Sequence, residues 1–415
     1  MIPRICFLLA LGLIFRSYDA FATEPLTLED CISLAVKNNL SLIQAKTAIE
    51  RAEAEVLDSY SSYYPEFDLS SSYRYGESPL EEGRYSTNLE GRITLYRGGY
   101  IRAGTRAAKA TRRAEEESYF ITENEIVLAV KEAFFKILQK QDQITLIDNI
   151  LKRREQDRII INLKYDAGRE SAPAVKEAEA NVLQAEYEMM SAEGELSLAK
   201  GSLNLLLGRP WKKELSVFYI ESDAELPSLE EMIEGAQAER SDIRAETARR
   251  AVLEAQTTQA KSAYLPTVAM SSSYGLQGTE LTKQEDNWSV GVSLSFPLFD
   301  GFSTKAKVKE ATLSVREQDT KIEKLKQDIE EEVEQAWINW QLAEKNHEVR
   351  NTSLEAAREM YQLTRLQYEQ GQTSYLFLQQ KESALTQAEY SYLNSLYDLR
   401  IARARLQKAW GRTVS

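Results

Sequence analysis

From Leu28 one row of positions recurs every seven residues: Leu28, Ala35, Leu42, Ile49, Val56 and Tyr63. A second row follows three residues later: Cys31, Asn38, Ala45, Ala52 and Ser59. The pattern predicts one heptad helix with small residues on its second row, stopped by Pro65. The period then drops to two. In FDLSSSYRY, Phe67, Leu69, Ser71, Tyr73 and Tyr75 alternate with Asp68, Ser70, Ser72 and Arg74. In YSTNLEGRITLY, Tyr85, Thr87, Leu89, Ile93 and Leu95 oppose Ser86, Asn88, Glu90, Arg92 and Thr94. Such alternation predicts a hairpin of strands over 67–98. A second hairpin is expected over 267–299, where Trp288, Val290, Val292 and Leu294 face away from Ser289, Gly291, Ser293 and Ser295.

After each hairpin the period returns to seven, in two long helices expected at about 102–164 and 304–367. Val130, Ile137, Ile144 and Leu151 mark the first; Val308, Val315, Ile322, Ile329, Ala336 and Ala343 mark the second. At 1.5 Å per residue each spans roughly 95 Å. No globular domain is that wide, and a seven-residue repeat held so long implies left-handed supercoiling. Each long helix ends in a glycine turn, YDAGRES or YEQGQTS, followed by a return helix. One return seam begins Val175, Ala178, Val182, Ala185 and the other Leu378, Lys381, Leu385, Ala388. Gly168 and Gly371 supply the positive φ that ends a helix, and Ser171 and Ser374 are expected N-caps.

These turns belong to a wider duplication. Tyr165 pairs with Tyr368, Glu179 with Glu382, Leu203 with Leu406 and Gly208 with Gly411, all at an offset of 203. Upstream the offset is 201, as in Pro65 with Pro266 and the two SSSY segments. The chain therefore divides into a first repeat at 23–208, a linker or equatorial segment at 209–228 and a second repeat at 229–415. Positions 1–22 read as a secretory signal peptide: an early Arg, a short apolar run and AFA before the expected cleavage after Ala22. Cys31 is then the one remaining cysteine, expected as a small packed residue.

No stretch past that leader approaches 18 consecutive apolar residues, so strands alone could cross a membrane. The predicted strands are about ten residues long, the length needed to span a bilayer at a tilt. Aromatic residues sit at their ends: Tyr75, Tyr85, Trp288 and Phe299. Four strands do not close a barrel, and open edges are not tolerated in lipid. Several subunits must therefore share one barrel, with the helices extending to one side as a second, water-filled tube. The formal net charge of −13 argues against a nucleic-acid partner.

The chain resembles the TolC family of outer membrane factors. The resemblance is carried by LTLEDCISLAVKNNLSLIQAK, YYPEFDLSSSYRY, YLPTVAMSSSYG, FPLFDGF, NLKYDAGRESAPAV, RLQYEQGQTSYLFL, LNLLLGRP and LQKAWGR. It implies an α+β membrane protein: a trimer whose twelve-stranded β-barrel continues into a twelve-helix periplasmic α-barrel. It also implies an exit duct in the outer membrane of a Gram-negative bacterium, joined to a periplasmic adaptor and an inner-membrane pump. The cargo expected first is toxic small compounds; a type I protein secretion system is the alternative. A periplasmic coiled-coil scaffold without a pore is the reading from another class, and it leaves the alternating strands without a purpose. By the resemblance the tips dock the adaptor, through Leu163, Tyr165, Gly168 and Ser171 in one hairpin and Arg365, Tyr368, Gly371 and Ser374 in the other.

The entrance departs from the family pattern. Better-known members place acidic residues six and nine positions after the second tip glycine; here those positions are Phe377 and Gln380. With Tyr368 they form the candidate gate. Phe377 either faces the lumen, closing a narrow pore by excluding water, or packs against a neighbouring helix. The position six after the first tip glycine is Ala174, so Tyr368 is expected to lack an acidic partner. Nothing suggests an enzyme, a metal or another cofactor. His347 is the one histidine, expected on a solvated helix face. The Glu115–Glu117 and Glu330–Glu332 runs read as solvated faces as well.

Overall fold

A computed structural model describes residues 25–75, 84–219, 226–280 and 283–411; the expected signal peptide lies outside them. The element order runs through one pattern twice. The first pass is α1 (Leu28–Asn38), α2 (Leu40–Ser61), β1 (Glu66–Arg74), β2 (Arg84–Arg97), α3 (Tyr100–Asp166) and α4 (Ala172–Leu206). The second is α5 (Leu229–Glu239), α6 (Ser241–Ser262), β3 (Thr267–Glu280), β4 (Lys283–Ser295), α7 (Ser303–Glu369) and α8 (Tyr375–Trp410).

The single helix expected from Leu28 to Pro65 is two. Asn39 breaks it at φ −66°, ψ 131°. Its side-chain oxygen accepts from Ser41 N at 2.9 Å, while its Nδ2 donates to the Leu206 carbonyl at 2.9 Å. Arg240 holds the matching break, and its Nη1 donates to the Ala409 carbonyl at 2.9 Å. Each break ties the start of a repeat to the end of that repeat's return helix. A heptad count misses this, because the apolar spacing continues unbroken across the kink. Both α1 and α5 open with reciprocal capping boxes, Thr27 with Asp30 and Ser228 with Glu231.

The described first part of the 209–228 segment, 209–219, packs at this level. Leu26 N donates to Ser216 O at 2.9 Å and Phe218 N to Leu26 O at 3.2 Å. Leu215 and Val217 join a core with Cys31, Ala35, Val130, Phe134, Ile137 and Leu203. Cys31 is fully buried there, and burial pushes its thiol up to about 12. Gly201 makes room for the Trp211 ring, whose Cε2 would lie 2.3 Å from an added Cβ.

The strands form one antiparallel sheet in the order β1-β2-β3-β4, and β1 and β4 carry no further strand among the described residues. Registered neighbours share a face. One face holds the rows Leu69–Leu89–Tyr274–Trp288, Ile93–Met270–Val292 and Tyr96–Val268–Leu294. The other holds Asp68–Glu90–Ser273–Ser289, Ser70–Asn88–Gly275–Asn287 and Thr94–Ala269–Ser293. Gly275 leaves space for the flanking Asn88 and Asn287 side chains. A register shift between Thr94 and Tyr96 alters the expected alternation: Tyr96, not Leu95, stands opposite Val268. The extra residue of a bulge has no partner across the ladder.

At 67 residues each, α3 and α7 are about 100 Å long. Toward their far ends α4, α3, α8 and α7 lie side by side in that order, with α4 and α7 at the margins. The α3 seam keeps the expected sevens at Val130 and Ile137, then slips by one to Ile150 and Asp157. The helix exchanges neighbours along its length, from α2 and α6 to α4 and α8, so its buried side rotates. On α8 the buried row holds Glu382, not Lys381. His347 is half-buried rather than solvated: its Nδ1 lies 3.0 Å from Ser395 Oγ and its ring 5.1 Å from that of Tyr392. The α7–α8 seam passes through this point, and the imidazole fills it.

Candidate functional site

Each long helix ends in the same hydrogen-bonded cap. Gly168 N donates to Tyr165 O at 2.9 Å and Arg169 N to Lys164 O at 2.7 Å. Gly371 N donates to Tyr368 O at 3.0 Å and Gln372 N to Gln367 O at 2.8 Å. This is the Schellman arrangement, which needs a left-handed residue; Gly168 has φ 69° and Gly371 φ 75°. The N-caps differ between the hairpins. Ser374 Oγ accepts from Phe377 N at 3.4 Å, as expected. Ser171 makes no side-chain cap bond, and its own N–H donates to Glu170 Oε1 at 3.0 Å. Pro173 already lacks one of the amides such a cap would serve.

The tips lock to each other across Tyr368, which is 2% exposed. Its hydroxyl donates to Glu170 Oε2 at 2.9 Å. This corrects the expected lack of an acidic partner: Ala174 is buried and apolar, and Glu170 reaches the hydroxyl from the turn instead. The Lys164 ammonium sits 3.7 Å from the centre of the Tyr368 ring and donates to the Tyr368 carbonyl. Burial first, then the hydrogen bond to Glu170 and that carboxylate's charge, push the Tyr368 phenol above its ordinary range.

Further from the tips lies a buried ionic cluster. Arg153 on α3 grips Glu389 on α8 in a fork, at 3.1 Å and 2.9 Å. It also donates to Thr386 Oγ1 at 2.9 Å and reaches Glu382 at 3.5 Å. Arg154 pairs with Glu382 at 3.4 Å and donates to the Asn181 carbonyl at 3.1 Å. Asp157 accepts from the Tyr361 hydroxyl at 3.1 Å. Burial raises the Asp157 carboxyl to about 6, against the pull of Tyr361 and Arg365. A cavity of about 20 Å³, room for one water, lies among Arg154, Asp157, Asn181, Tyr375 and Glu382. The cluster joins α3, α4, α7 and α8 through directional bonds, so relative movement of the hairpins must break them. Among the described residues no group of His, Cys, Asp and Glu could hold a metal ion.

The model of a family described as outer membrane efflux protein matches residues 31–209 and again 232–412. The chain belongs to the outer membrane efflux protein family. It is similar to the outer membrane protein TolC of Vibrio cholerae, at 22% identity over 302 residues, covering 68% of this chain and 67% of that protein. It is similar to the probable outer membrane lipoprotein SilC of Salmonella typhimurium, at 22% identity over 393 residues, covering 92% and 84%. The crystal structure of CusC superposes with a TM-score of 0.84 at 20% identity, covering 92% of both chains, and shares the fold.

In this efflux protein the expected tip residues separate into two groups. Leu163 and Tyr165 are 64% and 45% exposed, and Gly168, Ser171, Gly371 and Ser374 are exposed too. Arg365 is bound to Glu369 at 3.3 Å on its own helix. Tyr368 offers nothing outward, neither to a partner nor to a pore. Phe377 is 38% exposed with the Lys381 ammonium 5.0 Å from its ring centre, and Gln380 is exposed. Arg153, Asp157, Tyr361 and Glu389 go unmarked in the sequence, Glu170 enters only as part of the YDAGRES turn, and Glu382 only as the repeat partner of Glu179. Asp157 lies one residue off the seam that Ile144 and Leu151 predict, so the heptad count carries no signal for it.

Proposed function

We propose that three copies of this chain close a twelve-stranded barrel in the outer membrane, continuous with a twelve-helix tube in the periplasm. The tube is an exit duct that takes cargo from a periplasmic adaptor and an inner-membrane pump. The carrying observation is that each chain ends in two unlike, unsatisfied margins at both levels. In the sheet these are the free edges of β1 and β4. In the helical layer they are α4, exposing Leu183, Tyr187, Met190 and Leu198, and α7, exposing Leu342, Val349 and Leu363. Unlike margins that complement each other close rings by head-to-tail contact. The apolar sheet face then meets lipid and the Ser- and Asn-rich face lines water. Membership of an efflux family supports toxic small compounds over secreted proteins as cargo. Native mass spectrometry in detergent should give a trimer; a stable water-soluble monomer would overturn the barrel.

The exposed tip residues Leu163, Tyr165 and Gly371 support adaptor docking at this end. Phe377 and Gln380 lie beside the buried Leu378 and point away from the intrachain seam, which supports a place at the entrance. Three Phe377 rings would narrow the pore by excluding water, and Lys381 beside them leaves the entrance without a negative ring. Phe377→Ala should raise single-channel conductance in planar bilayers several-fold, while wild-type current shows little block by multivalent cations. A variant as tightly shut as wild type removes Phe377 from the gate.

A further inference from the structure

The first turns of α3 hold Arg102, Arg106, Lys109, Arg112 and Arg113 and no acidic residue before Glu115, in a chain of net charge −13. Cations are also disfavoured at this end of a helix, where the backbone dipole is positive. Arg102, Arg106, Lys109 and Arg113 are spaced by four, three and four residues, so they form one stripe. All four are exposed. The ion pairs of this stretch belong to Arg112, off the stripe, with Glu116 at 2.7 Å and Glu53 at 3.7 Å.

The stripe is not a margin awaiting a second copy. Its own chain walls α3 on two sides: Thr105 Oγ1 donates to the Ser59 carbonyl of α2 at 3.4 Å, and α6 packs along the helix as well. The opposite side of α3, with Gly104, Ala108, Thr111 and Glu115, is half-buried, as on the concave side of a curved wall. The greater exposure of the stripe supports a place on the convex, outer side. It starts one turn beyond the end of β2 at Arg97. Beside it, Tyr60, Tyr63 and Tyr64 are exposed at the end of α2, and Lys109 sits 5.5 Å from the Tyr60 ring centre. Aromatic rings next to the sheet, then a band of cations without an ion pair among the described residues, is the order expected at a membrane surface.

We propose that this face binds the anionic headgroups of phospholipids in the leaflet on the helical side of the membrane. The proposal rests on the reading that the sheet crosses the membrane. From Arg102 to Lys109 the helix rises about 10 Å, within reach of a headgroup layer for side chains that extend toward it.

The test uses full-length protein, delipidated in detergent and given equal amounts of phosphatidylglycerol and phosphatidylcholine with the same acyl chains. Native mass spectrometry counts the retained lipids, and planar bilayers read the conductance and ion selectivity of the same samples. Wild type should prefer phosphatidylglycerol, and each neutralised cation should lower that preference about fivefold. The Arg102→Gln/Arg106→Gln/Lys109→Gln/Arg113→Gln variant should lose it at unchanged conductance. Arg102→Lys/Arg106→Lys/Arg113→Lys should keep it, as should a neutralising control on distant α7, Lys324→Gln/Lys345→Gln. Equal retention of both lipids by wild type, or an undiminished preference in the quadruple variant, overturns the proposal. Altered ion selectivity with unaltered lipid preference places the stripe in the lumen and overturns it too. A protein that conducts but shows no lipid preference sinks the stripe alone; one that neither needs detergent nor conducts sinks the membrane reading with it.

Discussion

Arginine at Val292 should abolish most of the assembled channel, while arginine at Ser293 should leave assembly near wild type. The two positions are adjacent on β4, so helix packing, expression and chain length are the same for both. The register separates them: Val292 stands opposite Met270, in the row that continues to Ile93. Ser293 stands opposite Ala269, in the row that continues to Thr94. An arginine on the lipid face near mid-membrane costs about 2–4 kcal/mol. In the proposed shared barrel that cost would recur in every subunit, enough to shift assembly almost completely. On the water-lined face the guanidinium stays hydrated. The measurement is the yield of detergent-extracted trimer from outer membrane fractions. Equal yields for the two variants would mean that the faces are misassigned or that the sheet does not meet lipid.

Removing Arg153 should loosen the tip half of the molecule and leave the sheet intact. The side chain is 13% exposed, as is Glu389, and Glu382 is 7% exposed. Breaking a buried pair from one side costs about 3–5 kcal/mol, chiefly because the remaining charge stays buried without its partner. In Arg153→Ala, Glu389 loses both forked bonds, while Glu382 keeps Arg154. Limited proteolysis should therefore cut the tip hairpins at least tenfold faster than in wild type, and bilayer recordings should show more frequent opening. Arg153→Ala/Glu389→Ala should recover part of the loss, because it removes the stranded carboxylate as well. Proteolysis at the wild-type rate in Arg153→Ala would show that the cluster does not hold the hairpins together.

The periodicities alone place much of this molecule. The change from seven to two and back locates β1 to β4 and the long helices α3 and α7 within a few residues. Backbone hydrogen bonding and the alternation of side chains are local, so residue order determines them. The apolar and polar faces of the sheet are legible for the same reason, except where the bulge before Tyr96 adds a residue. The repeated glycine turns likewise announce both tips. Tertiary structure decides what the repeat conceals. Glu179 and Glu382 are equivalent in sequence, yet Glu179 pairs at the surface with Lys176 at 2.7 Å and Glu382 is buried against two arginines. The reason is position in the layer. The return helix α4 is a margin, whereas α8 lies between α3 and α7, so the same face is left open by its own chain in one repeat and covered by it in the other. The burial of Asp157 and the Tyr368–Glu170 bond follow from that asymmetry, whereas His347 packs within its own hairpin, against Ser395 and Tyr392. A period says which side of a helix is covered; the neighbour that covers it is set by chain segments about two hundred residues away.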